Sequence, residues 1–193
     1  MRKLKLQVQI SVDGFVGGPN GELDWMTWNM DDKLGNYINT ITDSSSTIFL
    51  GRKMADGFIR HWTSMLSRPG DPSYAFAKKM ADTPKIVFTK TLESSDPMVM
   101  GWYNTILAKG NLADEVNAQK NQNGNDIIVY GGDSFVSSLI QHDLIDEYYL
   151  LANPATLGNG QQTFNPLKNE LELKLMECKP FACGAVLLFY SRH

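Results

Sequence analysis

The strongest constraint in this sequence is a set of short, almost wholly apolar runs separated by stretches of helical spacing. Thr47 to Leu50, Lys85 to Phe88, Asp126 to Tyr130 and Glu147 to Leu151 are the clearest of them. They are rich in Ile, Val, Leu, Phe and Tyr, as strands covered on both faces are. Asp31 to Thr42 instead carries Leu34, Tyr37, Ile38 and Ile41 at helical spacing, with acids in the first turn where the helix dipole favours them. Tyr74 to Ala81, Leu112 to Gln122 and Ser134 to His142 read as further helices. Apolar strands alternating with helices imply a mainly parallel sheet covered on both faces. The expected fold is therefore α/β, a three-layer αβα arrangement around a mainly parallel central sheet.

The remaining segments complete that order. Leu4, Leu6, Val8 and Ile10 alternate with Lys5, Gln7 and Gln9, which is a period-2 first strand. Ser11 to Trp28, with its glycines, a proline and two tryptophans, reads as a long structured loop. His61 to Ser73, which contains Pro69, Gly70 and Pro72, reads as a second loop. Thr105 to Leu107 is expected as a short strand and Asn123-Gly124-Asn125 as a turn. Leu171 to Cys178 and Ala185 to Tyr190, joined around Lys179-Pro180-Phe181, read as an antiparallel C-terminal hairpin at one edge of the sheet. No break in composition divides the 193 residues, so one domain is expected over 1–193.

Composition excludes several classes. A formal net charge of −3 argues against a nucleic-acid or anionic-membrane partner. No apolar run approaches the ~20 residues of a membrane span, and the first ten residues have no signal-peptide pattern. Cys178 and Cys183, with His61, His142 and His193, do not make a zinc-ligand pattern, so no metal is expected. Both thiols are expected to be reduced, in or near the core, and the compartment to be cytoplasmic.

Three strand ends share one chemical property. In open α/β sheets, ligands bind beyond the carboxyl ends of the strands. Here one end delivers Gly51-Arg52-Lys53 at a helix start, with free N–H groups and two cations. The next delivers Thr89-Lys90, and the third delivers Gly131-Gly132, where backbone can approach a pyrophosphate closely. Together they suit a small-molecule ligand with several separated phosphates, and the cations around Arg52 and Lys90 suit the extra 2′-phosphate of NADPH. The sequence has no P-loop, no G-x-G-x-x-G after the first strand and no G-x-S-x-G elbow.

Four motifs in order carry a family resemblance. Gln9-Ile10-Ser11-Val12-Asp13-Gly14-Phe15-Val16, followed by Gly21 and Asp24-Trp25, resembles the opening of the dihydrofolate reductase-like superfamily. Leu50-Gly51-Arg52-Lys53-Met54 resembles its G-R-K-T segment, and Lys85 to Leu92 its next phosphate-contacting strand. Ile127 to Gly132 resembles its diglycine motif, with Leu144 to Glu147 leading into the following strand. Within that superfamily the chain resembles single-domain relatives of the riboflavin-biosynthesis reductase domain.

The resemblance implies roles residue by residue. Gln9, Ile10 and Val16 would flank the nicotinamide. Gly51, Arg52 and Lys53 would sit at the 2′-phosphate and pyrophosphate, Thr89 and Lys90 on the adenosine side, and Gly131, Gly132, Asp133 and Ser134 at the pyrophosphate. Either Asp31 or Asp32 could take the place of the acid that folate reductases carry in the first helix, although acids there also serve the dipole. Trp25 and Trp28 are candidates for a substrate ring pocket or for packing. The implied reaction is hydride transfer from NADPH to a small heterocyclic or ribosylamino-pyrimidine substrate. Proton delivery would come from Asp31, Asp32 or an ordered water. Dihydrofolate reduction, a quinone-type reductase and a non-catalytic NADPH-binding protein stand as alternatives. The chain holds no deaminase domain beside the reductase, and the resemblance implies a homodimer.

Overall fold

A computed structural model describes residues 1–27, 30–131, 133–164, 167 and 170–192. Strand β1 (Leu4–Ile10) runs into the short β2 (Phe15–Gly17), and helix α1 (Asp32–Asp43) leads to β3 (Ser45–Gly51). Helices α2 (Arg52–Met65) and α3 (Tyr74–Asp82) precede β4 (Lys85–Phe88). Then come α4 (Pro97–Met100), β5 (Thr105–Ala108), α5 (Leu112–Lys120), β6 (Asp126–Tyr130), α6 (Asp133–Gln141) and β7 (Glu147–Ala152). The chain finishes with β8 (Gln161–Gln162), β9 (Leu173–Pro180) and β10 (Val186–Arg192).

One sheet of eight strands, in the order β5-β4-β3-β6-β1-β7-β10-β9, organises the molecule. Every neighbouring pair from β5 to β7 is parallel, whereas β10 is antiparallel to both β7 and β9. This is the expected α/β arrangement, with the antiparallel hairpin at one edge. The core divides between the two faces. Leu34 and Ile38 of α1, Ala55 and Ile59 of α2 and Met80 of α3 pack on one side. Val116 of α5 and Val136, Leu139 and Ile140 of α6 pack on the other.

Several local expectations are corrected. The segment 61–65 is helical, because the apolar spacing Ala55, Phe58, Ile59, Trp62, Met65 continues one face of α2 and the helix-breaking Pro69 comes only later. The loop 11–28 contains β2, which pairs with β8 in a small second sheet; Gly160 permits this, since a Cβ there would lie 2.2 Å from the Gly17 carbonyl oxygen. Cys178 is exposed and not near the core, because it lies on β9, the outermost strand; Cys183 is half-buried and both thiols are free.

The alternation in β1 does not divide a wet face from a dry one. Lys5 is only 6 % exposed, and its ammonium meets the Asp126 carboxylate at 2.8 Å and the Ser44 hydroxyl at 2.8 Å. Gln7 and Gln9 continue that face toward the carboxyl end of the sheet. Among the described residues no helix is long and apolar enough to cross a membrane, and no cluster of metal-ligating side chains occurs.

Candidate active site

A cleft of about 1580 Å³ lies over the carboxyl ends of β1, β3, β4 and β6. Ligand sites for one drug-sized molecule span roughly 300–1,000 Å³, so this cleft has room for two ligands side by side. It straddles the end of the sheet, and its two halves differ in chemistry.

The first half is built from strand ends. Gly51 ends β3 and is the N-cap of α2, and no side chain caps that helix. Arg52 and Lys53 follow on the rim, and neither has an acidic or carbonyl partner among the described residues. Free N–H groups beside unpaired cations make an anion-accepting corner. Thr89 lies next to it, buried, its hydroxyl oxygen accepting from the Thr91 and Leu92 N–H groups at 3.1 Å each. The Lys90 ammonium is held by the carbonyls of Lys109 and Gly110 at the rim. Gly131 has no room for a side chain, since a Cβ would come 2.8 Å from Val136. At the start of α6 the Asp133 carboxylate accepts from the Ser134 N–H at 2.6 Å. That contact occupies the Ser134 N–H, whereas no side chain caps α2.

The second half is apolar. Helix α2 turns Met54, Gly57, Phe58, His61 and Met65 toward the cleft, and α3 adds Phe76 and Met80. Phe58 stacks on Tyr130 with centroids 5.4 Å apart, and Trp62 joins Phe58 at 6.1 Å and Phe76 at 5.2 Å. Met30 and Ile38 close it from the side of α1. The helical spacing of Met54, Phe58, His61 and Met65 was the signal for this surface, hidden by assigning His61 onward to a loop.

The sequence-predicted residues are thus partly brought together. Gln9, Val16, Gly51, Arg52, Lys53, Thr89, Lys90, Gly131, Asp133 and Ser134 all line the cleft. Ile10, Trp25, Asp31 and Asp32 are not in its lining. Trp25 braces its own loop, donating from Nε1 to the Glu22 carbonyl at 3.0 Å. Asp31 is the N-cap of α1, accepting from the Leu34 N–H at 2.9 Å and from the Cys183 N–H at 3.2 Å. Those bonds, the Leu34 one foremost, hold its carboxyl below the usual carboxylate range. Trp28 and Gly132 lie outside the described residues.

Asn153 is a positioning residue that sequence reasoning missed, although Asn-Pro after a strand marks a turn. It is fully buried; its Oδ1 accepts from the Thr27 N–H at 2.8 Å, and its Nδ2 donates to Gln9 Oε1 at 3.2 Å. It therefore sets the Gln9 side chain and the loop above the cleft together.

The sequence matches the RibD C-terminal domain family over residues 2–187. The chain belongs to that family. At family level it is a riboflavin-type reductase domain. It is 31% identical to the uncharacterized protein YyaP of Bacillus subtilis (strain 168) over 191 residues, which is 98% of this chain and 94% of that protein. Solved RibD-type structures share its fold. The Thermotoga maritima diaminohydroxyphosphoribosylaminopyrimidine deaminase/5-amino-6-(5-phosphoribosylamino)uracil reductase superposes with a TM-score of 0.67 at 15% identity, covering all of this chain and 57% of that one. A pyrimidine reductase-like protein of Corynebacterium diphtheriae gives 0.61 at 14% identity, covering all of this chain and 92% of that one.

Proposed function

We propose that this RibD C-terminal domain protein is an NADPH-dependent reductase of small heterocyclic substrates, ribosylamino-pyrimidines being the substrate class suggested by the family. The observation that carries this reading is the pairing, in one cleft, of an uncapped helix start flanked by unpaired Arg52 and Lys53 with a separate aromatic and thioether surface. The first suits the phosphates of a dinucleotide, and the second suits a planar ring.

The residues present fit the cofactor. Arg52, Lys53 and the first N–H groups of α2 would hold its 2′-phosphate and pyrophosphate, with Thr89 and Lys90 on the adenosine rim. Bound NADPH supplies a hydride, two electrons and a hydrogen nucleus, to the electrophilic carbon of a C=N or C=O bond, and a solvent proton completes the product. Gln9, held by Asn153, and Val16 would border the nicotinamide from β1 and β2. The aromatic chain from Tyr130 to Phe76 holds the ring against the sheet and limits water beside it. Asp31, ionised and engaged as a cap, is not the proton donor in this account; water at the mouth of the cleft is.

The test is NADPH binding by fluorescence, together with NADPH oxidation against pterins, pyrimidines and quinones. Binding with turnover on at least one ring supports the reading. Binding without turnover on any of them would favour a non-catalytic nucleotide-binding protein.

A further inference from the structure

The buried polar face of β1 contains one group the fold leaves unanswered. Lys5 is paired with Asp126 and Ser44, and Gln9 accepts from Asn153. Between them, Gln7 has a buried Oε1 with no hydrogen-bond partner among the described residues. Folded proteins seldom leave such an acceptor unmatched without a ligand or an ordered water to fill the gap.

Its neighbours do not supply the missing donor. On β7, Gln7 is in register with Tyr149, whose hydroxyl already donates to Glu147 at 2.9 Å. On β6, Leu6 pairs with Val129, so the next residues, Gln7 and Tyr130, lie side by side on one face. The Tyr130 hydroxyl is also buried without a hydrogen-bond partner. Thr42 lies beside it and acts to lower its pKa, its own hydroxyl donating to the Ile38 carbonyl at 2.9 Å. Burial pushes the Tyr130 hydroxyl up to about 12, so it remains a neutral donor. Gln7 and Tyr130 both line the cleft, on the floor of its apolar half.

We propose that Gln7 is the specificity-determining residue of this half, and that the substrate is an uncharged, unphosphorylated planar heterocycle with a lactam edge. A primary amide offers an acceptor and a donor side by side, and with its shielded Oε1 turned into the cleft it matches the adjacent N–H and C=O of a ring lactam with two parallel hydrogen bonds. The charge distribution selects the neutral ring. Around it stand Met54, Phe58, Trp62, Phe76 and Met80, while the cations of the cleft, Arg52, Lys53 and Lys90, stand on the side proposed for the cofactor. A phosphate or carboxylate tail would lose water here without gaining a buried counter-ion. His61 stands exposed at the rim. The proposal rests on the reductase reading for its cofactor, yet the amide site can be tested by itself.

The experiment compares wild type with Gln7→Leu. Its probes are pterin, lumazine and uracil as neutral lactams, 2-aminopteridine as a ring lacking the lactam carbonyl, and 5-amino-6-(5-phosphoribosylamino)uracil as the phosphorylated ring. Ring affinity is read by fluorescence or calorimetry, NADPH affinity separately, and stability by the thermal midpoint of the free protein. The expected result is a loss of about 10- to 100-fold in affinity for the best lactam, with 2-aminopteridine and NADPH binding unchanged. The thermal midpoint of the free variant should hold or rise, because an unmatched acceptor has been replaced by an apolar group. Several results would overturn the proposal: no lactam binding by wild type, equal loss for 2-aminopteridine, tighter binding of the phosphorylated ring, or a lowered midpoint with unchanged lactam affinity, which marks a water-bonded structural glutamine. Gln7-dependent lactam binding in a protein that does not bind NADPH would uphold this assignment while refuting the cofactor reading.

Discussion

Gly51 and Phe135 are packed so closely that a Cβ on Gly51 would fall 2.6 Å from the Cβ of Phe135. The end of β3 is thereby pressed against the first turn of α6, and both elements border the cleft. The φ of Gly51 is −78°, which any residue can adopt, so the requirement for glycine there is steric alone. Gly51→Ala should cost about 1–3 kcal/mol as an overpacking change and should weaken NADPH binding by shifting the start of α2. Gly35, inside α1, has nothing within 4 Å of its would-be Cβ. Gly35→Ala should therefore stabilise the protein, by about 0.5–1 kcal/mol. Denaturant titrations of both variants check the pair, and equal signs would contradict the packing described.

Asp13 ties the loop after β1 to the loop before β8. Its carboxylate accepts from the Ser11 hydroxyl at 2.6 Å and from the Gly158 N–H at 2.7 Å, with Leu157 N–H at 3.1 Å. Those bonds, Ser11 first, hold its carboxyl down at about 2, below the ordinary 3.8. A lowered pKa in the folded state favours folding above the ordinary value, and the contribution is lost as pH falls through the folded value. Wild type should lose stability from this group as pH drops from about 4 toward 2. Asp13→Asn should show a shallower acid slope and faster amide exchange at Leu157 and Gly158. An unchanged slope and unchanged exchange would remove Asp13 from that role.

Lys85 shows where an apolar-looking strand conceals a polar device. It is 1 % exposed, and its ammonium donates to the carbonyls of Ala81 at 2.6 Å and Thr83 at 2.7 Å, closing the end of α3. Burial lowers its pKa from 10.5 to about 8. The folded protein therefore holds this proton less tightly than the unfolded chain, so stability from this group rises as pH goes from about 8 to about 10.5. Buried Tyr148 and Tyr149, whose hydroxyls are pushed up, act in the opposite sense at the top of that range. The difference between wild type and Lys85→Met isolates the lysine: the wild-type midpoint should rise relative to the variant across pH 8–10. Parallel pH profiles would contradict the assignment.

The fold was largely legible because its signals are local. The apolar runs at 47–50, 85–88 and 126–130 could bury themselves only between helices, and that argument yielded the parallel sheet. The anion-accepting corner was legible for the same reason, since Gly51, Arg52 and Lys53 are consecutive. The ring half was not. It joins α1, α2, α3, β1 and β6, and no local pattern states that Met54 and Tyr130 face one space. Gln7 looked like the polar half of an alternating strand, because strand periodicity cannot say that a helix covers both faces. Asp31 was ambiguous in the sequence between cap and site, and only the Leu34 and Cys183 contacts show its carboxylate engaged as a cap.

The uncapped start of α2 is the seat proposed for the 2′-phosphate of NADPH. NADPH and NADH differ only by that group, so the direct measurement is a set of titrations of each cofactor against wild type and Arg52→Ala at fixed ionic strength. A charge-assisted hydrogen bond contributes about 1.5–3 kcal/mol, so NADPH affinity should fall by about 10- to 150-fold while NADH affinity stays nearly constant. Equal weakening of both cofactors would move Arg52 to the pyrophosphate. Wild-type protein that binds neither cofactor, or an Arg52→Ala variant that binds NADPH as tightly as wild type, would remove the 2′-phosphate from the start of α2.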